Sequence, residues 1–331
     1  MSSEPGDTPA KLADPVAGSL GAVPGGAPGR IGRFVDSDIL HSFRRTPVAI
    51  ASAIVALVIA VGAVGAPWIA PYDPFDLGSL DLNNALLPPI GSAEANPAFP
   101  LGTDDQGRDI LSTILYGSRI SLGVGLASVL LALLIGVALG LTAGFVGGRV
   151  DALIMRVADV QLSFPAILIA LLINGVARTV LPLSTDIDAL ALFVLVGSIA
   201  LANWVNYART VRGSTMVEKN KEYVLAARVT GVPSWRIMLQ HVLPNVTGPL
   251  LVIATINVAT AIITEATLSF LGVGVPPTTP SLGSMINGGN NFLYSGEWWL
   301  VVFPGAALVL LCMSVNLLGD WLRDALNPKL Q

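Results

Sequence analysis

Long stretches free of Asp, Glu, Lys and Arg dominate this chain. A helix needs about 20 apolar residues to cross hydrocarbon. Six stretches meet or approach that length: Thr46 to Tyr72, Ile120 to Gly148, Val160 to Ala177, Ala189 to Ala208, Ile237 to Thr264, and Trp298 to Gly319. The third is short, and Phe164-Pro165 near its start predicts a kink, because proline withholds an N–H and crowds the turn before it. The fifth holds Pro244 and Pro249, so its spanning part is expected from near Val246. Gly136, Gly140 and Gly144 recur at spacing four in the second stretch. They leave one helix face bare, and a neighbouring helix can approach it closely. The pattern predicts an all-α membrane protein of six transmembrane helices.

Composition and charge sharpen this. Only 12% of the 331 residues are charged and 53% are hydrophobic, against about 25% charged in a soluble domain. With six spans, fifteen of the 18 Lys and Arg fall on one side. They lie in the N-terminal segment, in the loops after spans two and four, and beyond span six; only Arg108, Arg119 and Arg178 fall on the other. The positive-inside rule then places both termini of this multi-pass protein in the cytoplasm. The expected organisation is a disordered tail at 1–46, rich in Pro, Gly, Ala and Ser, then the first span with a long extracytoplasmic loop at 47–118. A transmembrane core at 119–320 and a cytoplasmic tail at 321–331 follow. The first apolar run starts near Val48 and exceeds a signal-peptide core, which argues against a cleaved leader. Trp298 and Trp299 open span six, where an interfacial aromatic belt is expected. No internal repeat is visible, which argues against an inverted-repeat secondary transporter. No basic excess points to nucleic acid. The single cysteine, Cys312, lies in an apolar run and reads as a small buried hydrophobe.

Catalytic chemistry is not legible. Gly102 and Gly107 have the spacing of a phosphate loop, but Asp104, Asp105 and Asp109 would repel phosphate, and no Lys follows the second glycine. A solvated Asp-rich turn around Arg108 is the plain reading. There is no H-E-x-x-H or G-x-S-x-G motif, and His41 and His241 lie far apart with no Cys/His cluster, so no metal is expected. Nor does the chain carry a cofactor signature. Glu265 is the one carboxylate inside an apolar sequence. Counting about 1.5 Å per residue from Val246 places it near the outer edge of span five. Such a residue is either functional or tied to nearby Thr and Ser hydroxyls. Asn174, Asn203, Asn206 and Asn257 are polar groups in or near the spans. They suit either a peptide pathway or hydrogen bonds between helices.

The segment 209–245 carries the most information. Glu222, Ala226 and Ala227 sit on a predicted short helix. Gly231 suits a left-handed turn at its end, and Pro233-Ser234 suits the start of a second helix. The physical reading is a helix–turn–helix elbow that another protein grips; an amphipathic loop lying on lipid is the alternative.

Here the chain resembles the binding-protein-dependent ABC permeases. Their coupling-loop pattern is E-A-A, three residues, G, nine residues, I, one residue, L-P. Ala226, Ala227, Gly231, Leu243 and Pro244 match it; Leu225 stands in place of the Glu and His241 in place of the Ile. Leu101 to Asp109, Leu268 to Gly274, Trp298-Trp299 with Pro304-Gly305, and Asn316 to Pro328 resemble the C-type subunit of dipeptide and oligopeptide permeases. Leu282 stands where that branch often has Trp. The resemblance covers roughly Arg44 to Pro328. It implies a type I ABC importer permease that pairs with a B-type permease. It also implies docking of two ATPase subunits or domains, which bind the ATP and Mg, and delivery of di- or oligopeptides by an extracytoplasmic binding protein. Nickel, glutathione or haem are alternative cargoes of the same branch. A secondary transporter and a membrane-embedded enzyme are the rival classes.

Overall fold

The computed structural model describes residues 38–76, 81–92, 94–180, 187–276 and 278–325. Most of the expected N-terminal tail and the last six residues lie outside them. Among the described residues the regular structure is helical, with two isolated β-bridges and no strand. Lipid offers no hydrogen-bond partners, so a spanning backbone must satisfy itself within the segment.

The helices are α1 (Asp38–Arg45), α2 (Pro47–Val64), α3 (Ala66–Ile69), α4 (Ile110–Val146), α5 (Gly148–Leu162), α6 (Ala166–Val180) and α7 (Ile187–Glu218). They continue as α8 (Glu222–Val229), α9 (Ser234–Ile237), α10 (Leu243–Phe270), α11 (Leu282–Asn290) and α12 (Trp299–Ala325). Five are long and apolar enough to cross a membrane, and α5 with α6 supplies a sixth if the bent pair counts as one span. The third expected span falls within this bent pair. Its core is α6, with 15 residues, too short to cross alone. The chain turns by 97° between α5 and α6, at Ser163-Phe164-Pro165.

The helices also outrun the charge-free windows. α4 begins ten residues before Ile120, because Asp109 caps it: its carboxylate accepts from Ser112 N at 2.8 Å. Arg119 lies within the helix, since arginine is a good helix former. α7 runs past Ala208 to Glu218, and α12 past Gly319 to Ala325. The expected boundaries at 119, 209 and 321 thus fall inside helices. A window without charges marks where lipid sits, and caps mark where helices stop.

At the centre, α4 lies against α7 along the glycine face. A Cβ on Gly136 would lie 2.4 Å from Tyr207 Cβ; on Gly140, 2.4 Å from Ala208 O; on Gly144, 2.8 Å from Arg212 O. Polar ties extend this seam. Lys219 Nζ donates to Gly144 O at 2.6 Å and closes the end of α4. Arg212 forms a two-pronged pair with Asp151 of α5. Trp204 Nε1 donates to Gln161 at 2.8 Å, and the Gln161 amide donates to Leu201 O at 2.7 Å. α10 packs on both α4 and α7, α6 packs on α7, and α12 packs on α2, α10 and α11. Phe43 meets Trp321 edge to face at 5.0 Å and joins α1 to α12.

Gly140→Leu forces α7 off α4, and overpacking of this kind costs about 1–3 kcal/mol. The expected outcome is a lowered melting temperature for the purified chain. Gly123, on the same helix, has open space where its Cβ would go, so Gly123→Ala is expected to be neutral or to add up to about 1 kcal/mol. Equal behaviour of the two variants in thermal unfolding would contradict the seam.

Candidate functional site

The elbow between α7 and α10 forms from local signals. Glu222 opens α8, where the helix dipole favours an acid. The helix closes at Gly231, whose φ of +79° suits glycine. Gly231 N donates to Arg228 O at 3.0 Å and Val232 N to Ala227 O at 3.1 Å, which satisfies the last carbonyls. Pro233 then starts α9. A single wide π-turn, Met238–Val242, joins α9 to α10. Pro244 has no N–H to bond the carbonyl one turn back, and the widened turn accommodates this without a break.

The elbow has two faces. Val224, Ile237 and Val242 are fully buried, and with Ala227 they sit in the main core alongside Val211 and Val246. An amphipathic loop lying on lipid would leave these side chains outside the protein. The other face carries Leu225, Val229 and Trp235, at 47%, 89% and 59% exposure. Glu222, Ala226, Gly231 and Pro244 are exposed too, Leu243 is half-buried, and Ala227 faces inward. Arg236 lies over the Trp235 ring at 5.5 Å and Arg228 over Phe145 at 5.0 Å.

A polar clamp fixes the elbow to both neighbours. The Tyr223 hydroxyl donates to Glu218 of α7. Asn245 Nδ2 of α10 donates to that hydroxyl at 3.1 Å and to His241 O at 2.6 Å. Lys221 pairs with Glu218 at 2.8 Å. Loss of solvent and the Glu218 carboxylate push the Tyr223 hydroxyl up to about 12. Nothing in the sequence reading pointed to Tyr223, Glu218 or Asn245. Glu218 and Asn245 lie 5 and 22 residues from Tyr223, too far apart for a local pattern to mark them.

At the opposite end, the Leu101 to Asp109 segment is a clasp and not the solvated turn expected. Thr103 is fully buried and Asp109 is 2% exposed. Gly102 and Gly107 have φ of +83° and +78°, and a Cβ on either would lie 2.5 Å from the carbonyl oxygen of Leu87 or Asp81. Asp104 accepts from Gln106 N at 2.9 Å and Arg108 N at 2.8 Å, and pairs with Arg108 Nε at 2.7 Å. Thr103 Oγ1 accepts from Leu87 N at 2.8 Å, and Thr103 O accepts from Trp299 Nε1 at 3.3 Å. Asp105 remains at the exposed rim. Partial loss of solvent and the neighbouring Asp104 charge raise its pKa.

Glu265 is fully buried between helices. Its carboxylate accepts from Ser121 Oγ of α4 and from Ser269 Oγ of its own helix, both at 2.7 Å, and Ser281 at the head of α11 lies beside it. The hydroxyl ties expected from sequence are present. Ser121, 144 residues away, carried no local signal. The four asparagines do not converge. Asn174 is buried in α6, Asn206 is exposed, and Asn203 donates to Ile199 O of its own helix at 2.9 Å. Asn203 and Asn257 do line one small cavity with Tyr207. No group of three metal-ligating side chains occurs among the described residues.

Comparison with known proteins bears on what these two ends serve. Residues 136–331 match the family described as binding-protein-dependent transport system inner membrane component. Residues 37–89 match the N-terminal TM domain of oligopeptide transport permease C. The dipeptide transport system permease protein of Haemophilus influenzae is 40% identical over 87% of this chain and 93% of its own length. The di/tripeptide permease protein of Pseudomonas aeruginosa is 40% identical over 88% and 91%. The oligopeptide permease protein of Bacillus subtilis is 37% identical over 89% and 90%. Among solved structures, the MetNI methionine ABC transporter in inward-facing conformations shares the fold, with a TM-score of 0.50 over 65% of this chain and 96% of that one, at 20% identity. The chain is a multi-pass inner-membrane protein, and it belongs to the binding-protein-dependent transport system permeases, on the C-type branch of the dipeptide and oligopeptide systems.

Proposed function

We propose that this chain forms one half of the membrane pathway of an ATP-driven importer of di- or oligopeptides, with a B-type permease as the other half. Both termini and the elbow face the cytoplasm. The clasp faces the opposite side, where a binding protein delivers the peptide. Two ATPase subunits or domains, which bind ATP and Mg, dock on Glu222 to Pro244.

One observation carries this reading: an elbow rooted in the core presents bare Leu225, Val229 and Trp235 on its outer face. Large apolar side chains outside the spans favour a protein partner, whose surface would cover them. The Tyr223 clamp supports transmission, because it ties the elbow to α7 and α10 together. A push on the elbow then moves both helices. α10 is 28 residues long, and Glu265 lies 22 residues beyond Leu243, about 33 Å from the elbow at 1.5 Å per residue. Nucleotide-driven movement at one end reaches the serine-ringed carboxylate at the other. The carrier's affinity for peptide must differ between the two resulting states, or no work is done on it.

Gly231→Asp strains the turn and adds charge to the docking face. With the chain still inserted in the membrane, ATP-dependent peptide uptake is expected to fall about tenfold or more, since an unpaired charge buried at an interface costs over 1.4 kcal/mol. Normal uptake by that variant would remove the coupling role. Uptake that needs ATP and ignores a proton uncoupler is expected of the parent complex; the reverse dependence favours a secondary transporter. Tyr223→Phe is expected to weaken uptake while the complex still assembles. The hydroxyl ionises near 12 when folded, above its ordinary value of 10.0. Its raised pKa therefore contributes fully below pH 10 and is lost as pH rises through about 12. The difference in melting temperature between parent and Tyr223→Phe should stay constant from pH 6 to 9, to within about a degree or two.

A further inference from the structure

A cavity of about 10 Å³ lies where α4, α7 and α10 meet. Ser128 of α4, Asn203 and Tyr207 of α7, and Asn257 of α10 line it, with Val129 and Ile199 closing the walls. Three polar atoms around it have no hydrogen-bond partner: Ser128 Oγ, Tyr207 Oη and Asn257 Nδ2. Ser128 is 1% exposed and Tyr207 fully buried. The Tyr207 hydroxyl and the Asn257 amide approach each other but fall short of a direct hydrogen bond. Some hydroxyls of the bundle bond back to their own helix, as Ser198 does to Val194 O at 2.6 Å and Thr264 to Thr260 O at 2.8 Å. Ser128 makes no such bond. A hydroxyl or amide stranded away from water costs several kcal/mol, and here two hydroxyls and an amide from three helices point to one place.

We propose that this cavity is a binding site for one ordered water molecule that bridges Ser128, Tyr207 and Asn257. The volume sits at the threshold of about 10–15 Å³ for a single water, and the three partners match the usual two to four. An apolar guest would leave all three atoms stranded. A metal cation would be an unpaired charge, because no carboxylate lines the site. A water both donates and accepts. It accepts from the Asn257 amide and from one hydroxyl and donates to the other. The site lies just beyond Gly136, at the end of the seam. Below it α7 touches α4 directly. At the cavity, α10, the helix that carries the elbow, meets them through a shared solvent molecule.

The sign of one conservative substitution tests this in the full chain held in lipid nanodiscs. If the Tyr207 hydroxyl were merely stranded, Tyr207→Phe would leave the melting temperature unchanged or raise it. We expect a fall of several degrees. On a Ser128→Val background, whose methyls displace the water, Tyr207→Phe is expected to cause no fall. An unchanged or raised melting temperature in the parent, or an equal fall in both backgrounds, overturns the proposal. If Ser128→Val fails to accumulate, a density map that resolves waters decides. A peak within about 3.2 Å of both Ser128 Oγ and Tyr207 Oη supports the site, and a blank cavity removes it.

Discussion

Everything in this bundle depends on how closely α4 approaches α7. In lipid no hydrophobic drive pulls helices together, because acyl chains are as apolar as leucine. Association rests on dispersion, which falls off within an ångström of extra separation. The glycines of α4 remove the side chains that would hold α7 away, and a Cβ at Gly140 would collide with backbone. Once the two helices touch, Lys219 reaches Gly144 O, Arg212 reaches Asp151, and Gln161 links Trp204 to the carbonyls near it. None of these polar ties would span a wider gap. The elbow inherits its position from the same contact, since Val224 and Ile237 bury into the core that the seam sets.

The two ends of α10 face different tasks with similar means. At one end, a tyrosine hydroxyl gathers Glu218, Asn245 and the carbonyl of His241. At the other, Glu265 gathers serines from α4 and α10. Each is a polar group surrounded by partners from separate helices, so each fixes relative position without a large apolar contact. The Glu265 node is the costlier to break, because a buried polar group that loses one partner retains its full desolvation penalty.

Local features were legible in the sequence where the physics was local. Charge-free windows located the hydrocarbon-facing middle of five helices, and the Pro165 kink proved to be a full 97° turn. Glycine spacing found the seam. Gly231 and Pro233 marked the elbow because they act on their own backbone. Helix ends were misplaced because charge was taken as a stop signal, although Arg119, Arg209 and Arg212 all lie within helices. Asp109, three residues before Ser112, was readable as a cap. The sites built across long separations stayed hidden. Ser121 with Glu265 and Thr103 with Trp299 are partners only once the bundle exists. Residue type hinted that each side chain needed something; it did not say what.

The junctions of the elbow are unequal. Toward α7 the chain leaves the helix at Glu218 and re-enters one at Glu222, so a short irregular stretch separates the two. Toward α10 there is no interruption: α9, the wide turn at Met238–Val242 and α10 follow one another residue by residue. The elbow is therefore tied to α7 by side chains across a break in the helix, and to α10 by an unbroken main chain.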